Sequence, residues 1–197
     1  MRDINVGKGE DWNFLGFFDD TMEKGYRVGR YGRVLGDIDT LNAWPTTIAV
    51  AIAMGNPDNL RSVRERISND KVYFPNLISP DFRIMDDSCF NVGEGNIINF
   101  NGIASVETSI GDFNVLMDNV TIGHNAVLGN YNVIMPKASI CGNVTIGSQN
   151  LIGLGAIVLQ KLSVGDGVRL GAGAVAMASL KDGLTYVGNP ARPVFKR

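Results

Sequence analysis

Between positions 92 and 176 every sixth residue is apolar, and this period limits the fold more than any other feature of the chain. The fifteen positions of the frame begin at Val92, end at Ala176 and are mostly isoleucine, leucine or valine. Because 45% of the chain is apolar, chance gives such an unbroken run roughly once in 100,000 frames. A glycine directly follows eight of the fifteen apolar residues, as expected for a repeated bend. The period therefore reflects a repeating structure.

A period of six fits neither an α-helix nor a flat strand, whose side chains repeat every 3.6 and every two residues. It fits a solenoid with a polygonal cross-section, in which each hexad supplies one short strand and one corner. The aliphatic side chain points into the prism, and three hexads complete a triangular coil. Successive coils rise by about 4.8 Å, the spacing between strands of a sheet. Residues 92–176 then supply nearly five coils.

The hexads resemble the bacterial transferase hexapeptide repeat. This resemblance implies a left-handed parallel β-helix, whereas spacing alone does not fix the handedness. The repeat covers somewhat under half of the chain. A different β-solenoid without catalytic activity is the alternative.

The segment before the repeat has a different pattern. Two apolar runs, Trp12–Phe18 and Thr46–Met54, predict strands, and Arg33–Ile38 is a candidate for another short strand. A helix should follow Thr46–Met54, with Asn56 as its N-cap and Pro57 in its first position. We therefore predict a mainly β chain with a small α/β domain over residues 1–75 and a β-helix domain with a C-terminal tail over 76–197.

Four motifs in and just after this segment resemble the bacterial sugar O- and N-acetyltransferases, which act on sialic acids or nucleotide-linked amino sugars. The motifs are GFFDD, VLGDID, AIAMGNP and FPNLISPDF. The resemblance implies a small Rossmann-like domain that binds the sugar nucleotide through Asp19, Asp20, Gly55 and Asn56. An ordinary turn at the aspartates and an ordinary helix cap at Gly55–Asn56 are the alternative.

The start of the chain departs from that family, whose members begin with a strand and a glycine-rich turn of the G-x-G-G kind. Gly7 and Gly9 do not reproduce this turn. We therefore expect the α/β domain to lack its usual first βα unit, which would leave a central edge of the sheet unpaired.

His124 is the only histidine of the chain and lies two places after an inward residue, so it should project outward near a corner. A surface histidine is the simple interpretation. Imidazole is nevertheless the side chain best suited to act as a base near neutral pH. The eighteen-residue coil stacks position 124 on Gly142, whose bare backbone N–H could bind an oxyanion. By resemblance, the segment TIGHNAVLG carries the family's catalytic histidine at 124, and relatives use a backbone amide at the position of Gly142.

Two further residues complete the expected catalytic group. Relatives often have an acidic residue directly after the histidine to orient it, whereas this chain has Asn125. Glu107 stacks on position 125 one coil earlier and is our candidate substitute. Some relatives carry a second histidine nine residues later, where this chain has Val133.

The C-terminal tail matches the family ending G-x-P-A-[KR]. The resemblance implies that Pro190 and Arg192 lie near coenzyme A, where Arg192 could meet its phosphates. Ala172 and Gly173 could let the pantetheine arm run close to the backbone. A rigid cap on the last coil and an ordinary pair of corners are the alternatives.

These features predict an acetyltransferase that uses acetyl-CoA as cosubstrate and modifies an amino or hydroxyl group of a sugar or nucleotide-linked sugar. The resemblance implies a homotrimer with active sites between neighbouring β-helices. A sugar-nucleotide-binding or assembly protein without turnover is the alternative. One histidine cannot supply the three ligands of a zinc hydratase, so we expect no metal.

Composition limits the partners and the location. A net charge of −2 argues against nucleic-acid binding, and the longest apolar run, Ile48–Met54, is too short to span a bilayer. A polar N-terminus and only two cysteines, Cys89 and Cys141, favour a reduced protein in the cytoplasm.

Overall fold

The computed structural model describes residues 12–194, which form a triangular β-helix with a small α/β region on one of its faces. From residue 12 onward, the α/β region contains two helices, α1 (Ile38–Asn42) and α2 (Pro57–Arg66). In the same described part it has five short strands, β1 (Phe17–Phe18), β2 (Arg27–Val28), β3 (Gly32–Gly36), β4 (Ile48–Ala49) and β5 (Val72–Tyr73).

The β-helix has three faces, each a sheet whose strands repeat once per coil. The first face contains β6 (Leu77–Ile78), β9 (Ile97–Ile98), β12 (Val115–Leu116), β15 (Val133–Ile134), β18 (Leu151–Ile152), β21 (Arg169–Leu170), β23 (Thr185–Val187) and β24 (Arg192–Val194). The second face contains β7 (Arg83–Ile84), β10 (Ile103–Ala104), β13 (Thr121–Ile122), β16 (Ser139–Ile140), β19 (Ile157–Val158) and β22 (Val175–Ala176). The third face contains β8 (Asn91–Val92), β11 (Ser109–Ile110), β14 (Val127–Leu128), β17 (Thr145–Ile146) and β20 (Ser163–Val164).

The hexad frame of the sequence is the core of the prism. Ile122 pairs with Ile140 and Ile140 with Val158, so the coils have the predicted eighteen-residue register. From Ile98 to Ala176 all inward residues of the frame are buried, and only Val92 at the lower end is partly exposed. The mainly β fold predicted from the period is confirmed.

The first and last coils depart from the eighteen-residue register. Arg83 pairs with Ile103, twenty residues later, because a 3₁₀ turn at Asp87–Cys89 lengthens the first coil. At the other end Leu170 pairs with Tyr186, sixteen residues later.

A ladder of buried asparagines fills one corner, between the third and first faces. Asn96, Asn114, Asn132 and Asn150 are fully buried at eighteen-residue intervals. The side-chain oxygen of each accepts the backbone N–H of the next, at 2.9 Å in all three steps. The ladder satisfies the backbone donors that the tight corner would otherwise leave unpaired inside the prism.

The α/β region packs on the first face, and the sequence carried a signal for this that we did not use. The outward positions Ile97, Val115, Val133 and Leu151 of that face are apolar at eighteen-residue intervals. Val115 and Val133 share a buried cluster with Leu41 and Leu60 of the α/β region.

Polar and aromatic contacts reinforce this packing. The ring of Phe113 stacks on Tyr131, with 5.5 Å between centroids, and meets Phe74 edge-on at 5.1 Å. Arg169 of β21 forms an ion pair of 2.7 Å with Asp58 of α2.

The predicted strands of the α/β region were too long. The runs at Trp12–Phe18 and Thr46–Met54 contain only the two-residue strands β1 and β4. The run at Arg33–Ile38 contains most of β3, but α1 already begins at Ile38. Pairing of β4 ends early because its partner β5 runs into Pro75, which has no N–H to donate.

Other expectations for this region have mixed outcomes. Asn56 caps α2 and Pro57 opens it, as predicted. Among the described residues before the β-helix, 12–75, the strands form two separate sheets, β1–β3–β2 and β4–β5. Gly7 and Gly9 lie outside the described residues. The architecture changes between β5 and β6, and the division into two domains stays a prediction.

Candidate active site

His124 occupies the corner between the second and third faces, which we call the histidine corner (residues 105–108, 123–126 and 141–144). The backbone N–H of Asn125 donates to the carbonyl of Val106 at 3.0 Å, and that of Asn143 donates to the carbonyl of His124 at 2.8 Å. These bonds hold successive corners in register, so the exposed imidazole lies beside the corner of the next coil.

Two glycines create the space around the imidazole. A Cβ at Gly142 would overlap Nε2 of His124, so the histidine can adopt this position only because residue 142 has no side chain. A Cβ at Gly123 would lie 2.5 Å from the backbone nitrogen of Gly142 and would cover it. Gly123 is thus a residue of the site that our sequence reasoning missed, although its place in the hexad pattern marked it.

The backbone N–H of Gly142 has no hydrogen-bond partner within residues 12–194. In the corner that carries the asparagine ladder, the backbone N–H groups at the equivalent positions do have partners. There the N–H of Asp112 donates to Asn130 at 2.8 Å, and the N–H of Ser148 donates to Asp166 at 2.6 Å. Side chains of the next coil therefore cap that corner, whereas the donor at Gly142 is open to a ligand.

Asn125 links the imidazole to a carboxylate one coil away. Nδ1 of His124 lies 2.8 Å from Oδ1 of Asn125. Nδ2 of Asn125 donates to Oε2 of Glu107. The structure thus brings together His124, Gly142, Asn125 and Glu107, the four residues of the expected catalytic group.

Val133, where some relatives have a histidine, is far from this group in the fold. It belongs to the first face and is fully buried under the α/β region. The residue type at 133 is therefore set by packing and not by contact with His124.

Ala172 and Gly173 lie in the corner between the first and second faces. A Cβ at Gly153, one coil below, would lie 2.6 Å from the nitrogen of Ala172. The N–H of Ala172 has no partner in the described part of the chain, so this corner also presents an open donor. This corner leads into β22, whereas Gly142 follows β16. The two strands are two strand spacings apart in the same sheet, which is about 10 Å.

The tail closes over the same end of the second face. The N–H of Ala191 donates to the carbonyl of Val175 at 2.8 Å, which holds the tail against β22. Pro190 and Arg192 flank this bond, and both are exposed. Gly142, which was also expected at the cofactor, lies beside His124. The other four expected residues, Ala172, Gly173, Pro190 and Arg192, therefore lie at one end of the prism, with the second face between them and His124.

The residues expected to bind the sugar nucleotide have structural contacts of their own. Asp19 accepts hydrogen bonds from the hydroxyl of Thr21 at 2.6 Å and from its backbone at 2.7 Å, and these bonds lower the pKa of Asp19. Asp20 binds the N–H of Ile38 and pairs with Arg66 at 2.7 Å. The contacts of Asp19 are those of an ordinary turn, and the contacts of Asp20 connect this turn to α1 and α2.

Asn56 and Gly55 lie at the other end of α2 from Arg66. Asn56 accepts the N–H of Asp58 at 2.8 Å, while Gly55 faces open space. A ten-residue helix is about 15 Å long, and no bond among the described residues joins Asp20 to Asn56.

Both pairs lie on the opposite side of the prism from His124. The α/β region covers the first face, and the histidine corner joins the other two faces. A single chain therefore does not bring Asp19, Asp20, Gly55 and Asn56 to the imidazole.

A concavity of about 550 Å³ at the lower end of the second face was not anticipated. Arg83, Asp87 and Asn101 are among its lining residues. Arg83 pairs with Ile103, and Ile103 with Thr121, so the concavity lies two strands below the segment that carries His124.

Within 12–194 no group of three or more histidine, cysteine, aspartate or glutamate side chains could hold a metal ion. Cys89 and Cys141 are free thiols. No helix in the same range is both long and apolar enough to cross a membrane.

Comparison with solved structures shows which known proteins share this fold. The chain superimposes on the acetyltransferase domain of PglB from Neisseria gonorrhoeae with a TM-score of 0.86 and 27% identity, covering 97% of this chain and 91% of that one. The same domain in complex with acetyl coenzyme A gives 29% identity over the same shares and a TM-score of 0.85. The chain is thus a hexapeptide-repeat β-helix with the fold of the acetyl-CoA-dependent sugar acetyltransferases.

Two further structures extend the comparison. WeeI from Acinetobacter baumannii matches with a TM-score of 0.82 and 28% identity, over 91% of this chain and 85% of that one. A mutant perosamine N-acetyltransferase from Caulobacter crescentus, in complex with CoA and GDP-perosamine, shares the fold at 20% identity, over 98% and 90% of the two chains, with a TM-score of 0.81. No protein-family model and no curated protein sequence matches. The predicted resemblance to sugar acetyltransferases with hexapeptide repeats is confirmed.

Proposed function

We propose that this protein transfers an acetyl group from acetyl-CoA to an amino or hydroxyl group of a sugar or nucleotide-linked sugar. The observation that carries the proposal is the position of His124 Nε2 against Gly142, whose N–H has no partner among the described residues. A base and an oxyanion donor side by side are what direct acyl transfer needs.

The reaction proceeds by attack of the acceptor on the thioester carbonyl. The lone pair of the acceptor nitrogen or oxygen forms the new bond to the carbonyl carbon. At the same time His124 Nε2 removes the proton from that acceptor atom. The Gly142 N–H stabilises the negative charge that develops on the carbonyl oxygen. Collapse of this tetrahedral species breaks the carbon–sulfur bond, and the imidazolium returns the proton to the CoA thiolate.

The open donors suggest a path for acetyl-CoA. The thioester lies at Gly142, and the pantetheine arm runs along the second face toward Ala172 and Gly173. Pro190 and Arg192 then flank the nucleotide end, where the exposed guanidinium of Arg192 pairs with a phosphate.

A homotrimer would complete the acceptor site. Because Asp19, Asp20, Gly55 and Asn56 lie across the prism from His124, they reach an imidazole only if it belongs to a neighbouring copy. Exposed apolar side chains support such an association. Met85, Phe100, Leu154 and Met177 flank the second face and are 60%, 44%, 52% and 54% exposed.

The concavity below His124 gives the acceptor further room on the same face. GDP-perosamine, the ligand of the Caulobacter relative, is a suitable first acceptor to test. The two free thiols fit a reducing cytoplasm, where we expect the protein to act.

A sugar-nucleotide-binding protein without turnover is the second candidate. It is favoured by Asn125, which cannot stabilise an imidazolium by charge as an acidic residue in that place would.

Release of CoA thiol from acetyl-CoA tests both candidates. We expect release with GDP-perosamine or another nucleotide-linked amino sugar, and a loss of about 10³-fold in kcat for His124→Ala, as for other general bases. Binding of acetyl-CoA should be unchanged in this variant. Acceptor-dependent release no faster in the wild type than in His124→Ala would favour the binding protein.

A further inference from the structure

We propose that Glu107, in the coil before His124, is a positioning residue that fixes which imidazole nitrogen carries the proton. It acts through the side-chain amide of Asn125. The inference rests on the proposed function, because it concerns the base of that reaction.

The chemistry of the three groups decides which way the amide faces. An ionised carboxylate can only accept hydrogen bonds, and an amide has a donating nitrogen and an accepting oxygen. Glu107 therefore requires the donor Nδ2 of Asn125, which it contacts. The oxygen Oδ1 is left for His124, 2.8 Å from Nδ1.

The amide orientation in turn selects the tautomer of the imidazole. Oδ1 of Asn125 can only accept, so Nδ1 of His124 must carry a hydrogen. A neutral imidazole has one N–H, so Nε2 then holds a lone pair. Nε2 is the nitrogen that lies against Gly142, where the proposed reaction needs a base.

The carboxylate is held at the right height by the fold. Cys89, Glu107 and Asn125 follow one another at eighteen-residue intervals, and the last two belong to the histidine corner. The backbone N–H of Glu107 donates to the sulfur of Cys89 at 3.1 Å. Register between coils thus places the carboxylate of Glu107 one strand spacing from the amide of Asn125. Glu107 is therefore close to His124 in space, as an acidic residue directly after the histidine would be.

Without Glu107 nothing in this chain of contacts prevents the amide from turning round. Nδ2 of Asn125 would then donate to Nδ1, and the hydrogen of the neutral imidazole would move to Nε2. That tautomer cannot accept a proton at Nε2, so the base would be lost while the fold stayed intact.

The lone histidine makes this directly measurable. In long-range ¹H–¹⁵N spectra of a tag-free protein, every imidazole signal comes from His124. We expect the neutral form to be Nδ1–H in the wild type and largely Nε2–H in Glu107→Ala. Asn125→Asp, which keeps an acceptor beside Nδ1, should remain Nδ1–H with or without Glu107. Glu23→Ala, which removes an exposed carboxylate elsewhere, is the matched control and should not change the spectrum.

Kinetics provide a second test. Glu107→Ala should lower kcat by about 10- to 100-fold with KM unchanged, as for second-layer partners of other active-site groups. In a protein that already carries Asn125→Asp, the further change Glu107→Ala should lower kcat by less than about threefold. The proposal is overturned if wild-type His124 is Nε2–H, if Glu107→Ala leaves the tautomer unchanged, or if its cost is equal in both backgrounds. The spectra need no turnover, so they test the link to Glu107 even if acetyl transfer is absent.

Discussion

The imidazole of His124 fills the space that a β-carbon of Gly142, eighteen residues further along the chain, would need. No side-chain atom could occupy the space between them. One coil of the β-helix thus turns two residues that are distant in sequence into neighbours, a base and an uncovered backbone donor.

Gly142→Ala tests this juxtaposition. The backbone of Gly142 is not in the left-handed region, so alanine fits the chain, but its methyl group would displace the imidazole. We expect a loss of about 100-fold in kcat, comparable to removal of an oxyanion donor, with a small change in thermal stability. CoA release and thermal unfolding measure the two effects. Thr145→Ala, an exposed change of similar size on the third face, is the control, and a kcat within twofold of it would refute the arrangement.

Arg192→Ala tests the proposed path of the cofactor. If the guanidinium pairs with a phosphate of CoA, its loss should raise KM for acetyl-CoA by about tenfold, equal to one charge-assisted hydrogen bond. KM for acetyl-pantetheine, which lacks the nucleotide, should not change. Arg30→Ala removes an exposed arginine of the α/β region and serves as the control. Equal effects on the two thioesters would place the phosphates elsewhere.

Two valines test how the α/β region is held. Val133 and Val127 each begin a two-residue strand, but Val133 is fully buried on the first face and Val127 is 44% exposed on the third. Val133→Ala should lower the free energy of unfolding by about 2 kcal/mol, from two lost methyl groups and the cavity they leave. Val127→Ala should cost less than about 0.5 kcal/mol. Urea unfolding followed by tryptophan fluorescence measures both, and equal costs would contradict the packing described.

Asp37 gives a prediction for acid stability. It caps α1, and hydrogen bonds from the backbone and hydroxyl of Thr40 lower its pKa below the ordinary value of 3.8. The folded state therefore binds fewer protons here than the unfolded state, so this stabilisation is complete above the unfolded pKa. It is lost as the pH falls through 3.8 toward the lower folded value.

Asp37→Asn should keep the cap at pH 7, because asparagine is an equally good N-cap. Between about pH 5 and 3 its stability should fall less steeply than that of the wild type. Urea unfolding across this range measures the difference. Parallel curves for the two proteins would show that Asp37 contributes nothing to the acid sensitivity.

The sequence anticipated the β-helix better than the α/β region. The hexad frame named the inward residues and placed Glu107, His124 and Gly142 in adjacent coils, because the register of one coil on the next is fixed by the eighteen-residue period. The predicted lengths of β1 and β4 were too great, because an apolar run shows which residues are buried but not how many of them pair with a partner strand.

Only part of the candidate site could be predicted from the eighteen-residue period. The stacking of His124 on Gly142 followed from counting residues. The bridge from Asn125 to Glu107 was only a candidate, and the uncovering of the Gly142 donor by Gly123 was not foreseen. Side-chain direction and the capping of a backbone group depend on local geometry that periodicity does not describe.

By itself the sequence determined a triangular prism, its apolar interior and the residues that share a corner, because slipping the register by one residue would turn each inward side chain outward. Only the tertiary structure decided which of the three faces the α/β region covers, and hence that Asp19 and Asn56 lie across the prism from His124. That choice depends on packing between segments that share no repeat, here the contact of Val115 and Val133 with Leu41 and Leu60.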